Sequence, residues 1–303
     1  MSHSQTYEVI RPVFRDLIHT NLTLARIATG HVWTEGPVWF PAHETLLFSD
    51  IPNAHMYRWT PHGGTSLFRQ NSNFSNGNTR DREGRLLTCQ HATRSVVRTE
   101  HDGQLTTMAD HHDGRRLNSP NDVITRSDGS IWFSDPTYGI LSDLEGHKAT
   151  PEQEGSFVFR LDPDSPEPTI VSRDFVQPNG LAFSKDEGRL YVAESGSSHD
   201  PDVPSLLKVF DVQPDGGLGK PSDFAAIDKG LPDGLRVDQY DNVWCSAADG
   251  VHVFSPDGEL LGKVKTPETV ANLCFGGPRG NMLFITATTS VYAVHVNTKG
   301  AVG

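Results

Sequence analysis

Polar and hydrophobic positions along the chain repeat on a long period. A polar anchor opens a short apolar stretch, a turn with Asp or Gly follows, and a hydrophobic strand returns to a small or polar end. The unit reads EGPVWFPAHETLLFSD from Glu35, NGNTRDREGRLLTCQ from Asn76 and NDVITRSDGSIWFSD from Asn121. It continues as NGLAFSKDEGRLYVAE from Asn179, DGLRVDQYDNVWCSA from Asp233 and NLCFGGPRGNMLFITA from Asn272. Successive anchors lie 41, 45, 58, 54 and 39 residues apart. Six units at this spacing predict an all-β fold, a six-bladed β-propeller with four-stranded blades. The returning strands IWFS, LYVA and VWCS are apolar on both faces, as sheets stacked between neighbours require.

Outer strands follow in most units: MYRWT and TSLFRQ in the first, VVRTE and QLTTMA in the second, VHVFS and LLGKVK in the fifth. After Asn272 only MLFITA and SVYAVHV remain, so the sixth blade is one strand short. The segment LTLARIAT, Leu22 to Thr29, is predicted to complete it, closing the ring and removing an open edge. The chain thus reads as one domain, 1–303, with about residues 1–21 as an N-terminal arm or surface packing.

Composition narrows the partners. Twenty-eight Gly and 20 Pro suit short strands joined by tight turns. A net charge of −12 argues against a nucleic-acid partner, because phosphate binding needs a basic surface. Cys89, Cys245 and Cys274 are far apart and odd in number, so they form neither a zinc spacing nor a disulfide framework. They read as buried small residues in a reducing compartment. No apolar run approaches the roughly 20 residues of a membrane span, and no signal peptide opens the chain. The expectation is a cytoplasmic protein with no membrane partner and no sequence signature of its oligomeric state.

Each anchor begins the innermost strand of its blade. Glu35, Asn76, Asn121, Asn179, Asp233 and Asn272 should therefore ring one end of the central channel. Two carboxylates and four amides offer oxygen ligands, which suits one divalent hard cation, Ca²⁺ first among them. Zinc or copper would recruit His or Cys, yet Mg²⁺, Mn²⁺ and Zn²⁺ stay open. Asn-Gly and Asp-Gly are also turn dipeptides, a reading that remains open for Asn76 and Asn272. Glu35 fits it poorly, since Glu is a weak turn former.

EGPVW at Glu35, SPNDV at Ser119, QPNGLAFS at Gln177 and PDGLRVD at Pro232 together resemble the gluconolactonase and senescence-marker-protein (regucalcin-like) family. The resemblance runs from about Thr34 to the C-terminus. It implies a six-bladed propeller hydrolysing a small-molecule sugar lactone, with one channel metal held by Glu35, Asn179 and Asp233. Asn121 would be a fourth ligand or a substrate contact. IWFSDPTYG and the insertion after it look more like the bacterial gluconolactonase branch. The animal branch carries an Arg two residues before the Asn equivalent to Asn121; here that position is Ser119.

The implied mechanism uses the metal to polarise the carbonyl and acidify water. Asp233 serves as general base, or as a ligand only, and Asn121 orients substrate or stabilises the oxyanion. A phosphotriesterase-like hydrolase and a non-enzymatic Ca²⁺-binding propeller are the alternatives. His91, Arg94, Asp135, Tyr138 and Glu194 lie at or beyond strand ends that should border the pocket. His91 is expected to be an alternative base or a substrate hydroxyl partner, or a packed rim residue. Arg94, Asp135 and Tyr138 are candidate substrate contacts, although Asp135 and Glu194 also suit loop backbone donors. Insertions 136–155 and 195–205 cause the long anchor spacings and are expected to form a lid. His111-His112-Asp113 reads as a solvated loop.

Overall fold

The computed structural model describes residues 6–301. Six antiparallel blades of four strands form in chain order, and the first four are each laid down wholly from the inside outwards. Blade one runs Thr34–Phe40, Thr45–Asp50, His55–Thr60 and Gly64–Arg69. The inner strands of blades two to six are Ser75–Arg80, Val123–Thr125, Pro178–Phe183, Leu235–Val237 and Val270–Gly276. Blade six takes its outer strand from the other end of the chain: Ala25–Thr29 pairs antiparallel with Ser290–His295, Ala25 opposite Ala293. The ring closes as the strand deficit required.

The residues ahead of that strand do more than an arm would. Tyr7–Val9 adds a fifth strand to blade five, Tyr7 opposite Val264. The helical turn Phe14–Leu17 buries Phe14 and Leu17 against blades five and six. Residues 1–5 of the expected arm lie outside the described residues. The reason for the docking is the outer edge of blade five, which is as open as any terminal strand and gains ladder partners from the passing chain. His111–His112 and Arg115–Arg116 form a small ribbon rather than a loop, with Asp113 in its turn.

The core is divided among seams between blades. Trp39 of blade one stacks on Phe284 of blade six at 5.3 Å, and Trp132 of blade three meets Phe183 of blade four edge-on at 5.2 Å. Strands buried on both faces are therefore apolar on both faces, as in Val243–Ala247, where every residue is buried. The seam between blades one and two is the exception. Its buried apolar residues are Val38, Leu47, Met56 and Leu86, and Asn78 fills the remainder. The Asn78 amide donates to Gly36 O, Ser49 Oγ and Asn76 O, and its Oδ1 accepts from Thr88.

Candidate active site

All six inner strands start at one face of the ring, so the anchors share one end of the channel. Their glycines explain how closely. Gly77 and Gly180 have no positive φ and belong to inner strands, which corrects the turn reading for Asn76-Gly77. A Cβ on Gly77 would lie 2.4 Å from Asn121 O, and one on Gly180 2.2 Å from Asp233 O. Glycine follows these anchors because the next blade's anchor backbone occupies the space a side chain would need. Gly77 N also donates to Asn121 O at 2.8 Å. Asn272, last of the ring, donates to Glu35 Oε2 at 3.0 Å across the closure.

Glu35, Asn76, Asn121 and Asn179 are buried, and Asp233 keeps part of its surface open to the channel. The set carries unspent acceptors. Asn179 Oδ1 and Asn76 Oδ1 are buried without a hydrogen-bond partner, while the Asn179 amide is turned to Asp233. Burial first, and then the charge of Asp122, pushes the Glu35 carboxyl up to about 8. Burial, followed by the charges of Glu35, Asp122 and Glu145, holds the Asp233 carboxyl well above the usual range. Oxygen donors left unpaired beside mutually repelling carboxylates fit a divalent cation, whose charge would offset that repulsion. Arg236 supplies part of the offset through Asp122, at 3.5 Å.

Asp122, Arg236 and Glu145 had no place in the sequence reading. Asp122 left a trace, since it stands where Glu35, Asn76, Asn179 and Asp233 are each followed by glycine. Arg236 and Glu145 left none, because neither belongs to the anchor pattern.

The rim residues fall into two groups. His91 is buried, its Nδ1 2.7 Å from Glu145 O and its Nε2 3.2 Å from the Asn76 amide. A carbonyl only accepts, so Nδ1 carries the proton and Nε2 receives the amide's. Burial pushes the imidazole down to about 4. Both nitrogens are engaged and neither is poised to abstract a proton, which argues against His91 as a base; it ties insertion 136–155 to the anchor ring. Arg94 Nε donates to Leu117 O at 2.6 Å and its Nη1 meets Glu152 at 3.1 Å. Asp135 Oδ2 accepts from Asn118 N at 2.7 Å, and burial pushes the carboxyl up to about 7. Glu194 accepts from the backbone N–H groups of Val176, Gln177 and Gly196. These three side chains hold loop backbone. Ser119 does likewise: it donates to Pro136 O at 2.6 Å and accepts from Gly139 N at 3.0 Å, pinning the start of the insertion.

Tyr138 joins the two insertions. Its hydroxyl meets Ser198 Oγ at 2.8 Å and Ser195 O at 3.2 Å, and its ring packs edge-on against His199. Burial is the main cause that pushes its phenol up to about 12, with the Asp233 charge among the lesser ones.

A second cluster of ligand-type side chains, Asp228, Asp249 and His252, lies on blade five with its atoms within 4.8 Å of one another. Lys263 Nζ sits 2.8 Å from Asp228 and Lys265 Nζ 2.6 Å from Asp249. The ammonium groups already occupy the cation's role there. Among the described residues no helix is long and apolar enough to cross a membrane.

Comparison with known proteins agrees with the fold. Residues 33–289 match the family model of the SMP-30/Gluconolactonase/LRE-like region. The gluconolactonase of Zymomonas mobilis is 34% identical over 90% of this chain and 81% of its own length. The pentonolactonase of Haloferax volcanii is 28% identical over 83% of this chain and 80% of its own. The solved structure of XC5397 from Xanthomonas campestris, a gluconolactonase, superposes with a TM-score of 0.90 at 34% identity, covering 97% of this chain and 96% of that one.

Proposed function

The chain belongs to the SMP-30/gluconolactonase/LRE-like family, and from that premise we propose that it hydrolyses a sugar lactone to the aldonic acid. The observation that carries the reading to this site is the ring of buried oxygen donors, with Asn179 Oδ1 unpaired beside Glu35 and Asp233. Glu35, Asn179 and Asp233 would hold a divalent ion, with Asn121 as fourth ligand or substrate contact; Ca²⁺ is our choice, because the donors are all oxygen. Such an ion, when bound, withdraws electrons from the lactone carbonyl and acidifies water.

The chain's own groups do the rest. Asp233 accepts the proton of the attacking water as its oxygen joins the carbonyl carbon, and returns it to the ring oxygen when the C–O bond breaks. Asn179 orients the Asp233 carboxylate. Burial raises its proton affinity, a bound cation would lower it again, and the same cation would make the water it deprotonates more acidic. The Asn121 amide donates to the carbonyl oxygen as charge builds there. The Tyr138–Ser198 bridge supports reading the two insertions as one cover that limits water and selects the lactone. Closure of blade six by an N-terminal strand supports one domain for the whole chain. Three free, buried cysteines accord with a cytoplasmic setting.

The test is proton release from glucono-δ-lactone, corrected for spontaneous opening, by chelator-stripped protein before and after Ca²⁺, Mg²⁺, Mn²⁺ or Zn²⁺ is restored. Activity should vanish and return with one ion. Asp233→Asn should lower kcat about 100-fold or more while the protein stays folded. Full turnover by the stripped protein would refute the metal site, and full turnover by Asp233→Asn would refute the base.

A further inference from the structure

The inner strands run away from the anchors and end at the opposite mouth of the channel, in a cavity of about 760 Å³. Every blade contributes to its wall, which is apolar and aromatic at Trp39, Ile124, Phe183 and Phe275. Its charges are uneven. Arg80, half-buried, has no carboxylate partner among the described residues and lies over the Phe40 ring at 5.9 Å. Arg236 has one, Asp122, at a long 3.5 Å, and that carboxylate already accepts from Val123 N at 2.9 Å. Arg80, Arg236 and Cys274 all line this cavity. Lys299 lines the rim, exposed and without a partner among the described residues.

The acidic side chains of the wall are spent. Asp81 is held by Arg85 at 2.6 Å and Glu83 by the same guanidinium at 2.7 Å. Arg82 turns outward to Glu187 at 3.1 Å. The cavity charges left without a carboxylate partner among the described residues are therefore positive, Arg80 and Lys299, in a chain whose net charge is −12. Arg236 is held only by Asp122 at 3.5 Å and by Leu235 O at 2.6 Å. Burying Arg80 without a counterion costs free energy, which an anion in the cavity offsets.

We propose that this far mouth binds a small oxyanion, the phosphate or carboxylate of a metabolite of sugar size, with Arg80 and Arg236 as its fork and Lys299 at its rim. The planar guanidinium suits either group through paired N–H donors. Aromatic walls give the rest of such a molecule a face to pack on. The mouth lies at the opposite end of the channel from the anchors and does not depend on the lactonase reading. Arg236, which also meets Asp122, is the one group shared with the anchor ring, whereas Arg80 and Lys299 belong to this mouth alone.

Isothermal titration of the dialysed full chain in low-salt buffer tests this, with inorganic phosphate, glucose 6-phosphate and gluconate as separate ligands and glucose as the uncharged control. At least one anion should bind at one site with Kd of about 1 mM or tighter, glucose should not, and Asp233→Asn should bind it equally. Arg80→Gln should weaken binding about tenfold or more through loss of a charge-assisted pair, with lactone hydrolysis unchanged. If Arg80→Gln does not fold, Lys299→Gln at the exposed rim should still weaken binding several-fold. The ligand that binds identifies the oxyanion as phosphate or carboxylate. No binding of any of the three, binding unaffected by the variants at Arg80 and Lys299, or binding abolished by Asp233→Asn would each overturn the proposal.

Discussion

At the scale of single residues, His91 shows how an environment settles a role that residue type leaves open. A histidine at a strand end beside a pocket suits a base, a hydroxyl partner or a packed rim residue equally well. Its two hydrogen bonds, one to a carbonyl that can only accept, fix the neutral form with the proton on Nδ1. An unfolded histidine titrates near 6.5, whereas burial lowers this one to about 4. Between those values the unfolded chain binds more protons, so the neutral form stabilises the fold fully above the upper value. That contribution is lost as pH falls towards the lower one. Urea unfolding of wild type and His91→Gln should therefore show a stability gap at about pH 7 that narrows by about pH 4.5. A gap that widens on acidification would mean that His91 is charged in the folded protein.

At the scale of elements, the blades cohere through apolar seams, except between blades one and two. There Asn78 satisfies two carbonyls and two hydroxyls at once. Truncating it takes a partner from Gly36 O and Thr88 Oγ1, while Ser49 Oγ and Asn76 O keep each other. Asn78→Ala should cost about 3 kcal/mol in urea unfolding, more than its lost area would suggest, because unpaired buried polar groups keep their desolvation penalty. The insertions behave as elements too. Arg94 holds Glu152, and Glu152 also accepts from Arg116 N, so the far end of the 136–155 loop is latched to the His111–Arg116 ribbon. Glu152→Ala should raise KM for the lactone several-fold with little change in melting temperature, if the loop covers substrate. An unchanged KM would make it a surface loop.

At the scale of the whole molecule, the anchor ring concentrates carboxylates in an already acidic chain. Glu35, Asp122 and Asp233 repel one another, and Arg236 offsets one charge of the set. A bound divalent ion would relieve the remainder. Differential scanning calorimetry should show the melting temperature rising by about 5 °C or more when the stripped protein meets its ion at about a hundred times Kd. Magnesium and calcium titrations would rank the two by the size of the shift. A melting temperature indifferent to every divalent ion would oppose the channel metal.

The fold was legible because a repeat of six similar units can bury its apolar strands only by stacking them, and a missing strand at one end of the chain implied its donor at the other. The anchors were legible for the same reason: one position per blade, counted along the chain, becomes one ring in space. Tertiary structure alone decided the features that depend on which blades meet. Asp122 faces Arg236 across more than a hundred residues of chain, and the Glu145 charge acts on Asp233 from a loop held by His91, Ser119 and Glu152. Tyr138 meets Ser198 for a similar reason, two insertions of adjacent blades folding over the same face. Such contacts carry no period and no local motif. They are set by the curvature of the closed ring, which the sequence specifies only through all six blades together.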